Sequence, residues 1–397
     1  MKHSLSDLAI FGGPRAFDAL LPAGQTNLPE WAKVQEMFSG IFKRHYFSNH
    51  GILAQELEEK LCEYLNVRNA VTITNGTIAL MHTAVALGLN GKVIVPALTH
   101  PATAQALSWA GLTPLFCDVD PHTLLITPEL VEPIVRKHEA SAVLAVHLWG
   151  GVCDVDGFEA LSSKHSIPIF YDAAHVFGCN PHGTMVGAAG AAEIFSFGAD
   201  NILNAAEGGL ACTNDDELAA VLRNLRSSYG RRKNVPIPVN ANGRFSEFQA
   251  GLALLSFNDL EKNRIENRGR LNQYIDGLSD VDGIEVRAPD GREKHNCQDV
   301  VIIIDEASFG LPRDMLFKIL VSENVSLKNH FSVGVHRRPP YSNDPDERSM
   351  MPVTDMVAGS VIMLPSGQVV TEKCVEKVCS IIMYAHNNAE EIRRLCK

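Results

Sequence analysis

The sequence predicts an α/β protein with a mostly parallel seven-stranded sheet covered on both faces, plus a smaller α+β C-terminal domain. Three observations carry this. Seven apolar runs alternate with helix-like stretches between about residues 69 and 215. Those runs are near-continuously apolar, as strands buried on both faces are. Beyond a long amphipathic region, from about Ser246 to Leu278, the pattern changes to fewer strands among longer helices.

In chain order the strand runs are "AVTITN", "KVIVPA", "TPLFCDVD", "SAVLAVHLWG", "IPIFYDAAH", "AEIFSFG" and "GGLACTND". A basic, turn-rich segment follows, "RSSYGRRKNVPIPVNANGRF", then the amphipathic region. The remainder holds "DVVIIIDE", "RDMLFKILVSEN", "SVIMLPSG" and "TEKCVEKVCSIIMYAHNNAEEIRRL". A boundary near residue 260 divides the chain into a large unit, 1–260 with the N-terminal segment, and a small unit, 261–397. With 397 residues, two such domains are comfortable.

Composition narrows the function. Hydrophobic residues make up 46% and charged residues 20%, an ordinary globular balance, and the formal net charge is −11. Without a long basic run, neither nucleic acid nor an anionic membrane is the expected partner; a small molecule is. No stretch is apolar for long enough to span a bilayer, and the N-terminus lacks a secretory pattern, so a cytoplasmic location is expected. The nine cysteines are scattered, without a CxxC pair, and read as reduced core thiols rather than metal or iron–sulfur ligands.

In open α/β sheets, ligands sit beyond the carboxyl ends of the strands. That selects Asn75–Thr77, Thr99–His100, His147, Asp172–His175 and Ser196–Asn201. In "TNGTIAL", Asn75, Gly76 and Thr77 join a strand to an apolar helix, whose N-terminus suits a phosphate; simple capping by Thr77 is the alternative. Asp172 closes a very apolar strand and needs a partner to offset desolvation, which a protonated heteroaromatic nitrogen would supply; capping of the next helix competes. Lone histidines are usually structural, but His100, His147 and His175 all follow strand ends that converge. The loop "FSFGADNILNAAEGG" holds no strong nucleophile and no lysine.

Nine motifs in order, "FSNHG", "TNGTIAL", "VPALTHPATAQA", "HLWGGVCDVDGFEAL", "DAAHVFG", "FSFGADNILNAAEGG", "NGRFSEFQAGLAL", "VHRRPPY" and "LPSGQVVTEKCVEKV", cover nearly the whole chain. Together they resemble the DegT/StrS family of fold-type I, pyridoxal-phosphate (PLP) sugar aminotransferases. The resemblance implies that Gly76, Thr77 and Ser196 hold the cofactor phosphate, that Asp172 pairs with the pyridinium nitrogen, and that His175 contacts the ring hydroxyl. It places His100 where the family has a ring-stacking aromatic. Asn242 would reach the phosphate of a neighbouring subunit, which implies a homodimer with shared active sites.

One departure bears on function. The family loop reads His-x-x-Lys after "SF", and its lysine forms the Schiff base with PLP and then shuttles protons. Here those positions are Gly198 and Asn201, and an asparagine amide does neither. Lys233 and Lys328 are the substitutes to weigh, although Schiff-base geometry tolerates little displacement. A single engineered replacement fits poorly, because Gly198, Asp200 and Ala206 also depart from the pattern.

The expectation is therefore an atypical enzyme that binds PLP, or its amine form PMP, non-covalently. Its substrate would be a nucleotide sugar, amino sugar or aminocyclitol of polysaccharide or natural-product biosynthesis. Its reaction would be lysine-independent, on the precedent of the PMP-using nucleotide-sugar 3-dehydratases, with Asn201 in the loop and His100, His175 or His336 as candidate bases. The alternatives are a conventional transaminase using another lysine or captured as a mutant, a PLP-independent enzyme, and a non-catalytic sugar- or cofactor-binding relative.

Overall fold

The computed structural model describes residues 2, 4–24, 27–181, 183–227, 233, 235–237, 239, 241–289, 291–343 and 351–396. Much of the basic segment after residue 227 therefore lies outside the described residues.

The strands of the large sheet are β1 (Asn69–Ile73), β2 (Lys92–Pro96), β3 (Thr113–Cys117), β4 (Ala142–Val146), β5 (Ile169–Asp172), β6 (Ala192–Ser196) and β7 (Gly209–Thr213). Their order is β1-β7-β6-β5-β4-β2-β3, and every pairing is parallel except the two made by β7. The expected mostly parallel seven-stranded sheet is present. Both faces are covered, as period-two alternation requires. In β2, Val93 and Val95 enter one core with Leu144, Phe170 and Ile194, while Ile94 enters another with Val143, Ala145 and Ile169.

The helices of this part are α1 (Trp31–Arg44), α2 (Ile52–Leu65), α3 (Gly76–Ala86), α4 (Pro101–Trp109), α5 (Pro128–His138), α6 (Val155–His165), α7 (Asp216–Leu225), α8 (Glu247–Asn258) and α9 (Leu260–Leu278). Helix starts follow local chemistry. Asn75 caps α3 by accepting from Ile78 N at 2.8 Å, and α4 begins with Pro101 behind a capping His100.

A second sheet is antiparallel, in order β10-β9-β8: β8 (Ile284–Arg287), β9 (Val300–Ile304) and β10 (Val361–Leu364). Its core joins Val300, Ile302 and Ile362 to Tyr274 and Leu278 of α9 and to Val375, Val378 and Ile382 of the helix Glu372–Asn387. Leu8 and Leu21, from the N-terminal segment, also pack in this core, and buried Glu323 accepts hydrogen bonds from Ala9 N and Ala16 N. Helix α9 links the two parts: Leu260 lies in the core around α2 and α8, and Leu271 in the C-terminal core. Among the described residues no helix is long and apolar enough to cross a membrane, and no group of His, Cys, Asp or Glu is arranged to hold a metal ion.

Candidate active site

Parallel neighbours present their carboxyl ends on one side, so the loops leaving β1, β2, β5 and β6 converge there. They enclose a cavity of about 590 Å³, closed from the other side by Lys328, His330, Phe331 and Met363 of the C-terminal part. Of the residues nominated from sequence, Gly76, Thr77, His100, Asp172, His175, Ser196 and Asn201 line it. His336 and Asn242 do not. His336 is buried, with Nε2 3.4 Å from Asp355 Oδ1. Asn242 is exposed, and its Oδ1 accepts from Arg244 N. His147 lies beneath the site, with Nε2 3.0 Å from Glu193 Oε1 and its ring stacked on Tyr171.

Asp172 ends β5 and is only 7% exposed. Its Oδ2 accepts from Thr103 Oγ1 at 2.8 Å and its Oδ1 from Ala174 N at 3.2 Å. Burial pushes this carboxyl up from the ordinary carboxylate range, against the lowering effect of those hydrogen bonds. A cationic partner is what such a group takes to stay ionised. Thr103 lies one helical turn after His100, and the sequence reading missed it; its spacing on the first turn of α4 is the available signal.

The opposite wall is the start of α3 with Ser196 beside it. The first N–H groups of α3 have no acceptor within the helix and carry its positive dipole end. Gly76 approaches Ser196 so closely that an added Cβ would sit 2.9 Å from Ser196 Cβ. The same tightness explains Gly209 in β7, where a Cβ would sit 2.4 Å from the Asn75 carbonyl carbon and oxygen.

Of the three histidines that line the cavity, His100 and His175 are hydrogen-bonded at Nδ1. His100 Nδ1 accepts from Ala102 N at 3.1 Å, and His175 Nδ1 accepts from Trp149 N at 3.3 Å. An imidazole accepting there carries its proton on Nε2, a tautomer assigned from the backbone donors. Burial, reinforced by His330, His175, Lys328 and Arg338, holds His100 down at about 4, so it is neutral at pH 7. The Nδ1 of His175 also lies 3.7 Å from Asp299 Oδ2, too far for a hydrogen bond.

Asn201 follows Asp200 in the loop after β6 and is 9% exposed. Its Oδ1 accepts from Gln298 Nε2 at 3.3 Å, while Gln298 Oε1 accepts from Ile202 N at 3.1 Å. Beside it, Asp200 Oδ2 lies 3.5 Å from Lys328 Nζ. The other lysine weighed as a substitute, Lys233, is exposed, bonded to Glu217 Oε2 at 2.6 Å, and does not line the cavity. Asp299, Gln298 and His330 were not singled out from sequence, because nothing local marks a residue that reaches the site from the second sheet.

Set against PLP, these residues fit: an anion-binding helix start with Ser196 for a phosphate, a buried carboxylate for a ring cation, and imidazole N–H donors for a ring oxygen. The loop lacks the amine that would bind it covalently.

Comparison with known proteins agrees with this geometry. The family model described as DegT/DnrJ/EryC1/StrS aminotransferase family matches residues 30–383. A curated relative, dTDP-4-amino-4,6-dideoxy-D-glucose transaminase of Shigella dysenteriae, is 31% identical over 370 residues, covering 90% of this chain and 97% of that protein. GDP-perosamine synthase of Caulobacter vibrioides is 33% identical over 223 residues, covering 55% of this chain and 60% of that protein. Among solved structures, the one described as DesI in the presence of its TDP-sugar product is 36% identical, with a TM-score of 0.94 over 99% of this chain and 100% of that one. With the match spanning both parts of the fold, this chain belongs to the DegT/DnrJ/EryC1/StrS aminotransferase family.

Proposed function

We propose that this chain is an enzyme of the sugar aminotransferase type that holds PLP or PMP without a covalent bond and acts on a nucleotide-linked sugar by a lysine-independent reaction. The observation that carries the reading is the contrast inside one cavity. Gly76, Thr77, Ser196, Asp172 and His175 keep the cofactor-binding frame, while Asn201 stands, hydrogen-bonded to Gln298, where a covalent lysine would. The relatives described as a dTDP-sugar transaminase and as DesI with a TDP-sugar product support a nucleotide-linked sugar as the substrate class.

PLP, when bound, supplies a conjugated pyridinium ring that takes up negative charge from a neighbouring carbon. The chain's own residues divide the remaining work. Asp172 keeps the ring nitrogen protonated, because its buried carboxylate gains from a cation. The start of α3 and Ser196 hold the phosphate, and His100 and His175 donate N–H hydrogen bonds. The amide of Asn201 orients by hydrogen bonding and neither forms a covalent link nor moves a proton. In a homodimer, Asn242 of a second copy would complete the phosphate site; its exposure in the single chain accords with that role.

The test starts with purified protein soaked in PLP or PMP and freed of excess ligand. The protein is denatured and the supernatant assayed for cofactor, then a parallel sample is treated with borohydride before intact mass measurement. Release of cofactor with no mass gain is expected. A covalent adduct on the wild-type chain would overturn the lysine-free reading, and no retained cofactor would overturn cofactor binding itself.

A further inference from the structure

The geometry points to Lys328 as the proton-donating cation of this cavity: we propose that, set between Asp200 and Asp299, it takes over the proton-donor share of the missing loop lysine but not the covalent share. This deepens the lysine-free reading above and rests on it for the identity of the ligand.

Lys328 lies after the helix Arg313–Ser322, and its backbone makes an isolated antiparallel bridge to Met363 at the edge of the second sheet. Its side chain is 14% exposed, and Nζ lies 3.5 Å from Asp200 Oδ2 and 3.8 Å from Asp299 Oδ1. Among the described residues lining the cavity, it is the one lysine or arginine. The arrangement is tightly built. Gly24, at φ 87°, passes so near that a Cβ would sit 3.0 Å from both Lys328 Cε and Asp200 Oδ1. Asp299 is buried, with Gln298 Nε2 3.3 Å from its Oδ2.

Two features of the loop thus belong together. The residue that would be lysine is Asn201, and its neighbour Asp200 receives a lysine from the opposite wall. The loop brings no cation to the site, and Lys328 reaches it from the opposite wall. Nζ faces two carboxylates, and a lysine ammonium donates protons and has no lone pair with which to attack a carbonyl. The cavity's other nitrogen bases are less suited. His100 and His175 commit Nδ1 to backbone donors, and burial first, then Lys328, lowers His330 from its ordinary value. The charged or titratable groups around Nζ are Asp200, Asp299, His100 and His330, and Arg338 acts on the same two histidines.

The step balances without an oxidant or reductant. One N–H bond of Nζ breaks as an O–H or N–H bond forms on the substrate atom gaining negative charge. The neutral amine then regains a proton from a solvent acid, hydronium or buffer, which reaches it past Asp200, whose side chain is 57% exposed; the acid's conjugate base leaves to solvent.

Two measurements test this. The first needs no cofactor: trace acetic anhydride labelling followed by peptide mass mapping, in wild type and in Asp200→Asn, with Asp200→Ser as the second variant. Lys328 should label at least tenfold more slowly than exposed Lys33 in wild type, and about tenfold faster in either variant than in wild type. Equal labelling of Lys328 in all three overturns the proposal. The second uses PLP. Borohydride should leave Lys328 unmodified in wild type, and the pH titration of bound-PLP absorbance should move up by about one unit in Lys328→Met while staying in place in Lys328→Arg. A PLP adduct on wild-type Lys328, or identical titrations in all three proteins, overturns it. If wild type retains no PLP, the function proposed above fails, and the labelling experiment still decides the role of the Lys328–Asp200 pair.

Discussion

Replacing Asp172 by asparagine should raise the stability of the cofactor-free protein while weakening its hold on PLP. The carboxylate is 7% exposed and receives two hydrogen bonds, from Thr103 Oγ1 and Ala174 N. Burying a charge costs several kcal/mol, and two charge-assisted hydrogen bonds return roughly 3 kcal/mol, leaving a net cost of about 1–2 kcal/mol. Asparagine removes that cost: its Oδ1 takes the Ala174 N–H, Nδ2 donates one N–H to the Thr103 hydroxyl and directs the other into the cavity that residue 172 lines, and Thr103 donates to Thr99 Oγ1, 3.0 Å away. At roughly 2 cal/mol/K per residue, 397 residues give about 0.8 kcal/mol per degree, so Tm should rise by ~2 °C.

The sign with pH follows from the direction of the shift. A carboxyl raised on folding keeps its proton in the folded state at pH values where the unfolded chain has released it, so its cost grows as pH rises above the ordinary carboxylate range. The advantage of Asp172→Asn should be greater at pH 8 than at pH 4. With PLP at a hundred times its Kd, wild type gains about 2.7 kcal/mol, or ~3 °C. The variant loses a charge-assisted bond of about 1.5–3 kcal/mol, and its affinity falls by roughly 10- to 100-fold. Scanning calorimetry with and without PLP at both pH values decides it. A lower apo Tm for the variant, or an undiminished PLP shift, refutes the account of Asp172.

Asn201→Lys should restore a covalent link, so borohydride after PLP soaking adds the mass of one phosphopyridoxyl group at residue 201; no adduct would mean that the pocket no longer presents PLP to the loop. Gly209→Ala should cost about 2–3 kcal/mol, because its Cβ meets Asn75 backbone at 2.4 Å, whereas Gly198→Ala, with contacts of 3.6 Å or more, should stay within about 0.5 kcal/mol in denaturant titration. Buried His82 is held at about 4, mainly by desolvation, so between pH 6.5 and 4 the unfolded chain binds the extra proton and stability falls with pH, by about 3 kcal/mol in full. His82→Gln should flatten that part of a denaturation-against-pH curve; an unchanged slope would count against a neutral buried imidazole.

The sheet was legible because a strand buried on both faces writes itself as an unbroken apolar run. The antiparallel direction of β7 was not read, although the chain between Ser196 and Gly209 is short for a crossover helix, which is the physical signal of that reversal. The site was legible where strand ends made it: Asn75–Thr77, His100, Asp172 and Ser196 meet because parallel strands deliver their carboxyl ends to one side. His336 came from a motif rather than a strand end, and its side chain turns to Asp355 instead. Asp299 and Gln298 arrive through the packing of the second sheet against the first, which no local periodicity encodes; Lys328, weighed from sequence as a substitute for the Schiff-base lysine, arrives by the same packing.

Those late arrivals change how the loop is understood. Read as sequence, Asp200 and Asn201 are two departures from a pattern and say only what has been lost. In the fold each has a partner on the far wall: Asp200 has Lys328, and Asn201 has Gln298. The loop's amide and carboxylate are therefore both engaged from the C-terminal part of the chain. The glycines of "EGG" teach the converse: Gly209 is required by contact with Asn75, so that motif attests to the frame of the site and not to its chemistry. Asp172 is different, because a carboxylate buried at a strand end gains from a cation in the cavity it lines, which no packing contact explains.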